Sequence, residues 1–490
     1  MSSAKDRSYI ALVGAYERDN FGDILFLNVC RKLLHPWPIV PLSIVSRDMS
    51  MEGAGTVISA SAWFNSCGDD FLPKSVIVCG GEVLTSSISS AFPGTLDKKK
   101  HDLFYRADTT TRRLLGELIS SNSGQLAYVP NLSNLLGPME RDVSFALNSI
   151  GGSSLGDRPT QLEASITAVK QATYTSVRDR VTHKILTTGV MDGAIIHLDP
   201  DIVSALKLYY QTEVDTAFTN ALSLHPWLSE PYTLFQANDG YLKQRGLEAV
   251  GQAIAEIATS LTLNVVFQPA GIAPGHDSIE RLGDLAKITA SLCRGGTRVH
   301  TETNRNVWSQ VALIAHTACF VGTSLHGRIV SGAFSRPRVG LENEKVTTYA
   351  STWEETHLQP YNVAIADLKV AVASAMSVDA DRLSAYAENQ ANLALTGFQR
   401  LRQTLNLTEF AGDQRAASET IARLGEKALL RENERLRSIA FDFWAEVWQT
   451  REEFRLKAGE NISLTDRSRQ ILLVARRALG RLSSKFIQNK

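Results

Sequence analysis

Residues 322–337 read Gly322-Thr323-Ser324-Leu325-His326-Gly327-Arg328-Ile329-Val330-Ser331-Gly332-Ala333-Phe334-Ser335-Arg336-Pro337, directly after the apolar run Cys319-Phe320-Val321. A short apolar run closed by glycine has the form of a buried parallel strand. Thr323 and Ser324 are good N-cap residues for the segment that follows, and Pro337 marks its exit toward a further strand at Val339–Leu341. Strand, turn and helix in that order place an imidazole and a guanidinium at a helix N-terminus on the carboxyl edge of a sheet. Free backbone N–H groups and the helix dipole make such an edge favourable for negative charge. The stretch predicts an α/β fold and a site for a small anion.

Working outward, the 490 residues exceed what one core usually holds, so more than one domain is expected. Apolar content of 44% and charged content of 21% are those of an ordinary globular protein. Fifty-one basic residues balance 51 acidic ones, which excludes a chain that binds nucleic acid through its overall charge. Cys30, Cys67, Cys79, Cys293 and Cys319 show neither paired nor ligand-like spacing, so free thiols in a reducing cytoplasm are expected, with no zinc or other metal. The run Tyr9–Val13 is too short for a signal peptide, and no later segment reaches transmembrane length.

Short apolar runs alternate with amphipathic ones over the first two hundred residues, the βαβ signature of a parallel sheet. Expected strands are Tyr9–Val13, Ile39–Ile44, Ser75–Cys79, Gln125–Val129, Thr173–Val177 and Gly193–Leu198, with helices such as Ile24–Leu34 and Thr110–Ser120 between them. After a break around Leu206–Tyr232 a second unit follows. It has a helix at Gly240–Ser260, a strand at Leu263–Gln268, a helix at Ser278–Leu292, and Val307–Thr317 leading into Cys319. Two Rossmann-like doubly wound domains facing a cleft, over residues 1–205 and 206–376, are the expected architecture, with a helical extension over 377–490.

In that extension Ser384–Leu405 and Ala416–Lys457 read as long helices. Leu429, Leu436 and Phe443 recur at sevens, with Asn433, Ala440 and Val447 interleaved. Two readings stay open: a coiled-coil seam joining copies of the chain through 416–457, or a helix packed on its own domain. The last helix, Thr465–Phe486, aligns Leu472, Ala475, Leu479, Leu482 and Phe486. Arg467, Arg469, Arg476, Arg477, Arg481, Lys485 and Lys490 stand against Asp466 there, so residues 465–490 suit either an anionic membrane surface or a solvated face over a packed stripe.

Other turns carry chemistry. Gly14-Ala15-Tyr16-Glu17-Arg18-Asp19-Asn20-Phe21-Gly22-Asp23 follows the first strand and lacks the dinucleotide fingerprint. Gly22 suits a close backbone approach, Asn20 and Asp23 offer hydrogen bonds, and Asp23 could equally be a helix cap. Cys79-Gly80-Gly81-Glu82 opens a second strand end, where Gly80 and Gly81 let a ligand near the backbone or simply make a turn. Ser176-Val177-Arg178-Asp179-Arg180 brings two guanidiniums to another strand end; Arg178 suits an anion and Arg180 a salt bridge with Asp179. His197-Leu198-Asp199-Pro200-Asp201 ends a strand in a turn, and His225 is a structural histidine. Lys345, beyond the strand at Val339, could add a cation to the pocket of His326. The pKa range of histidine suits His326 for proton transfer near neutrality.

Taken in order, Asn20-Phe21-Gly22-Asp23, Gly80-Gly81-Glu82, Ser176-Val177-Arg178-Asp179, Leu198-Asp199-Pro200, Gly322–Pro337 and Lys345 resemble the successive motifs of the polysaccharide pyruvyltransferase family. The resemblance runs from Ile10 to Leu358 and leaves the helical extension outside. It implies a GT-B-like arrangement and transfer of the enolpyruvyl group of phosphoenolpyruvate onto two sugar hydroxyls as a cyclic ketal, with no further cofactor. Under it, Arg178, Ser324, Arg328 and Lys345 would bind phosphoenolpyruvate, and His326 would protonate its methylene. Asp23 or Glu82 would orient or deprotonate the acceptor sugar, and Asn20, Gly22, Gly80 and Gly81 would line the acceptor approach. The chain departs from the family where Ser324 stands in place of an arginine two residues before the histidine, and where Glu82 follows the two glycines. Two rival readings share the cleft: a GT-B glycosyltransferase using a nucleotide sugar, and a catalytically silent scaffold. The acceptor would be a cell-surface glycan or its precursor, free or lipid-linked, reached from the cytoplasm or the inner face of the membrane.

Overall fold

The computed structural model describes residues 8–68, 71–96, 98–106, 126–190, 193–355 and 358–457. Two sheets organise them. The first holds β1 (Ile10–Val13), β2 (Ile39–Ser43), β3 (Arg47–Met49), β4 (Gly55–Ser59), β5 (Ser75–Cys79), β6 (Ser144–Ile150), β7 (Tyr174–Val177) and β8 (Ile196–Leu198), in the order β3-β4-β2-β1-β5-β6-β7-β8. Only β3 runs antiparallel, against β4. The second holds β9 (Tyr232–Gln236), β10 (Asn264–Phe267), β11 (Val299–Thr301), β12 (Cys319–Gly322) and β13 (Arg338–Gly340), in the order β11-β10-β9-β12-β13, all parallel. Every residue of β1, β5, β9, β10 and β12 is buried, because helices cover both faces of each sheet. Such strands show continuous apolar runs rather than alternation, which is why they are legible in the sequence.

The winding fixes where a ligand can enter. In the first sheet the chain moves outward from β1 through β2 and then, from β5, in the opposite direction. In the second it moves from β9 to β10 and β11, then back from β12 to β13. Each reversal opens a crevice at the carboxyl ends of the strands beside it. The two crevices face one another, giving the GT-B-like arrangement of two doubly wound units. One apolar cluster crosses between them, joining Phe26 and Leu27 of the first unit to Val311, Ile314 and Ile329 of the second.

Several expectations change. No strand forms at Leu126–Val129; the place beside β5 belongs to β6, whose buried Asn148 and Ser149 interrupt its apolar run. The expected helix Thr110–Ser120 lies outside the described residues. The break at Leu206–Tyr232 is largely a helix, Leu206–Leu224. The helix expected at Gly240–Ser260 divides into Asp239–Arg245 and Leu247–Leu261 at Gly246, which takes φ 81°.

The extension returns to the first unit. In the helix Ala380–Thr404, Leu383, Ala387, Ala391, Ala394, Phe398 and Leu401 are buried, and the Tyr174 hydroxyl donates to the Gly397 carbonyl at 3.1 Å. In the helix Gln414–Lys457 the buried stripe is Leu424, Ala428 and Glu432, seated beside the helix Ala60–Cys67. Asn433 is exposed and Leu429 and Leu436 are half-buried, so the described side chains of this helix carry the packing on its own domain. Residues 465–490 lie outside the described residues. No described helix is long and apolar enough to cross a membrane.

Candidate functional site

A cleft of about 330 Å³ opens between the two reversals. After β1, the loop Gly14–Asn20 supplies Ala15, Arg18 and Asn20, and the helix Phe21–Leu34 supplies Asp23. Asn20 caps that helix by accepting from the Gly22 N–H at 3.1 Å, so Asp23 is free of the capping role. The loop is tied to the second unit: Phe21 N–H donates to the Ala270 carbonyl at 3.0 Å, Ile272 N–H to the Asp19 carbonyl at 3.0 Å, and Arg305 Nη2 pairs with Asp19 at 2.5 Å. The cleft is therefore held by main-chain hydrogen bonds and an ion pair rather than by side-chain packing alone.

On the opposite wall Ser324 caps the helix Leu325–Ala333, its hydroxyl accepting from the Gly327 N–H at 3.1 Å. His326 stands in the first turn of that helix. Its imidazole meets the edge of Phe26 at 5.1 Å between centroids and lies against Gly22, where a Cβ would collide with Nδ1. Only glycine lets the two helix starts come this close. Gly80, at φ 59°, serves the same packing from behind: a side chain there would overlap the Phe26 ring, and Gly80 does not line the cleft whereas Gly81 does.

The imidazole Nε2 is buried without a hydrogen-bond partner and lies 3.6 Å from Asp201 Oδ2. Asp201 is fully buried and held by the Val203 N–H at 3.0 Å. Its Oδ2 is also 3.4 Å from Arg178 Nη1, and Arg178 Nη2 donates to Glu82 Oε2 at 2.8 Å. Glu82, Arg178, Asp201 and His326 thus lie in one row that runs from the first sheet to the second. Burial pushes the Glu82 carboxyl up, but Arg178 and Lys345 outweigh it and hold the group below its ordinary value; Ser153 N–H adds a bond at 2.9 Å. Glu82 is a fixed carboxylate. Asp23 differs: its Oδ2 is buried, makes no hydrogen bond, and has Arg18 Nη2 at 3.6 Å.

The structure brings Asn20, Asp23, Gly81, Glu82, Arg178, Ser324, His326 and Lys345 to the cleft and Gly22 against its histidine. It does not bring Arg328. That guanidinium is 1% exposed, donates to both oxygens of Glu354 at 2.8 and 3.0 Å and to the carbonyls of Pro360 and Gln359 at 3.0 Å. The expectation that Arg328 binds the donor is corrected: two residues along a helix turn a side chain to the opposite face, into the core. Asp199 likewise serves packing, accepting from Tyr174 at 2.9 Å and pairing with Arg400 at 3.3 Å. Asp179 caps the helix Arg180–Gly189 through the Thr182 N–H at 2.7 Å.

Sequence reasoning did not single out Arg18, Tyr128, Asn238, His276, Asp277 and Asn343, which also line the cleft, nor the role of Asp201 behind it. His276 and Asp277 follow β10 in a glycine-containing turn, a signal of the same kind as the others. Burial, with Arg18 and Lys345 nearby, lowers His276 to about 4, so it is a neutral imidazole at pH 7. Burial raises Asp277 to about 6, although Gln236 Nε2 at 2.8 Å and the Ala270 N–H at 2.6 Å favour its carboxylate. Among the described residues no three His, Cys, Asp or Glu side chains are grouped to hold a metal ion.

A sequence model of the family described as polysaccharide pyruvyl transferase matches residues 20–345, well over half of the chain and all of the cleft lining except Ala15 and Arg18. No curated protein sequence matches. Among solved structures, the UDP-GlcNAc 2-epimerase of Neisseria meningitidis is similar at 11% identity and TM-score 0.47, covering 81% of this chain and 99% of its own. The corresponding epimerase of Rickettsia bellii is similar at 9% identity and TM-score 0.45, covering 81% and 98%.

Proposed function

Because the chain belongs to the polysaccharide pyruvyl transferase family, we propose that it moves the enolpyruvyl group of phosphoenolpyruvate onto two hydroxyls of one sugar in a cell-surface glycan or its precursor. A pyruvate ketal closes and phosphate leaves. The observation that carries the reading is the cleft itself. It faces a histidine backed by a buried carboxylate toward an aspartate with an unbonded oxygen, and lines both with cations.

The reaction needs a proton delivered to the methylene carbon of phosphoenolpyruvate and one removed from each sugar hydroxyl. His326 is the acid. Its ring lines the cleft, with Nε2 3.6 Å from Asp201 Oδ2 and Nδ1 on the Gly22 side. As the methylene becomes a methyl group, the adjacent carbon gains cationic character and the first sugar oxygen bonds to it. Asp23 accepts the hydroxyl proton. Phosphate then departs from that carbon, the second hydroxyl oxygen takes its place, and the remaining proton leaves with phosphate or through Asp23. Lys345 and Arg178 offset the donor's negative charge, and the N–H groups at the start of Leu325–Ala333 add partial positive charge. Glu82 orients Arg178 and is a weak proton acceptor, since Arg178 and Lys345 hold its carboxyl below its ordinary value.

The test is calorimetric titration with phosphoenolpyruvate, UDP and GDP, followed by phosphate release with sugar acceptors. Saturable phosphoenolpyruvate binding is expected, with turnover that falls roughly 10²- to 10⁴-fold in His326→Ala while the fold is kept. Binding of a nucleotide with phosphoenolpyruvate silent overturns the reading in favour of a nucleotide-sugar enzyme.

A further inference from the structure

The guanidiniums in and around the cleft are unequally available. Arg178 is flanked by Glu82 and Asp201, Arg305 is paired with Asp19, and Arg328 is enclosed by Glu354 and two carbonyls. Ser324 offers no compensating charge, and its hydroxyl is engaged as a cap. Arg18 is different. Its side chain is 16% exposed, its Nε is buried without a hydrogen-bond partner, and among the described residues its one ionic contact is Asp23 at 3.6 Å, beyond hydrogen-bond reach. The guanidinium lies over the Tyr128 ring at 5.2 Å, so its plane is supported while its Nε–H stays unbonded. Burying a guanidinium with its donors unbonded is costly unless an anion completes the site. Among the described residues the carboxylate nearest the guanidinium is Asp23, at 3.6 Å, and none hydrogen-bonds its Nε.

We propose that Arg18 is the guanidinium that grips an anionic oxygen of the donor, acting across the cleft from Lys345. The inference rests on the reading of the cleft as a phosphoenolpyruvate site and adds to it a ligand on the first unit. Three observations agree on the position. Arg18 and Lys345 both line the cleft, on opposite units, and no described side chain hydrogen-bonds the Lys345 ammonium. His276, neutral and able to donate one N–H, lines the same cleft. The loop that carries Arg18 is fixed to the second unit through Asp19 and Phe21, so the guanidinium is positioned before any ligand arrives. A planar fork of donors suits a phosphate or carboxylate better than a lone ammonium does. The ligand class is a small dianion or trianion bearing phosphate.

The experiment titrates wild type, Arg18→Ala and Arg18→Lys with phosphoenolpyruvate and separately with inorganic phosphate, with thermal unfolding to confirm that each variant is folded. Wild type should bind both. Arg18→Ala should weaken both by roughly 10- to 100-fold, the loss expected for charge-assisted hydrogen bonds. Arg18→Lys should fall between, and millimolar guanidinium should restore part of the affinity of Arg18→Ala, which a merely structural role would not allow. Should Arg18→Ala not fold, Arg18→Lys decides: phosphate affinity equal to wild type overturns the proposal. So does a folded Arg18→Ala with unchanged affinity, or a wild type that binds no anion. A wild type that binds phosphate through Arg18 but not phosphoenolpyruvate supports the anion site and sinks pyruvyl transfer alone.

Discussion

The two walls of the cleft each offer an arginine near a helix start, and the two have opposite fates. On the second unit Arg328 follows His326 by two residues on a regular helix, so it points away from the ligand and into the core. There it shares Glu354 with Arg338, whose Nη2 reaches the same carboxylate at 2.9 Å. On the first unit Arg18 sits on an irregular loop whose backbone is pinned at Asp19–Phe21, and its side chain lines the cleft with its Nε unbonded. The difference teaches that a guanidinium's role follows from the face it is given, not from its distance in sequence to a catalytic residue. Helical periodicity sets that face for Arg328. Only tertiary hydrogen bonding sets it for Arg18.

Arg328→Met should separate the two walls most sharply. Breaking a buried ion pair leaves Glu354 with Arg338 alone, and stability measured by denaturant unfolding should fall by about 3–5 kcal/mol. In the folded fraction the KM for phosphoenolpyruvate should stay within about twofold of wild type. A large rise in KM with stability intact would return Arg328 to the site and erase the contrast.

Gly22→Ala probes the contact between the walls. A Cβ there collides with the His326 imidazole, so the ring must leave its place against Asp201. Misplacing the acid should lower kcat by roughly 10- to 100-fold, with phosphoenolpyruvate affinity changed less. Unchanged kcat would mean that the ring has a second productive position.

The smallest effect concerns His276, near both Arg18 and Lys345. A histidine held at about 4 when folded, against 6.5 when unfolded, binds fewer protons in the folded state across that range. The stability this confers is complete above about pH 6.5 and is lost as pH falls toward 4. Between those pH values wild type should therefore lose roughly 1–2 kcal/mol more than His276→Gln, read from unfolding midpoints at several pH values. Parallel pH curves for the two proteins would mean that burial and the nearby cations do not depress His276.

The sequence by itself determined the doubly wound sheets, because strands covered on both faces must be apolar along their length, as in β1, β5 and β12. It also determined the strand-end positions of Asp23, Glu82, Arg178, His326 and Lys345, since each follows such a strand with turn and cap residues attached. It missed β6, whose polar Asn148 and Ser149 are buried by neighbours far away in the chain, and it read Leu206–Leu224 as a break. Tertiary structure alone decided which charges remain available. Asp201 behind His326, Glu82 against Arg178 and Glu354 around Arg328 are pairings between residues distant in sequence, and the Nε of Arg18 is left without one. The local pattern that places a side chain at a strand end carries no record of the partner that will neutralise it.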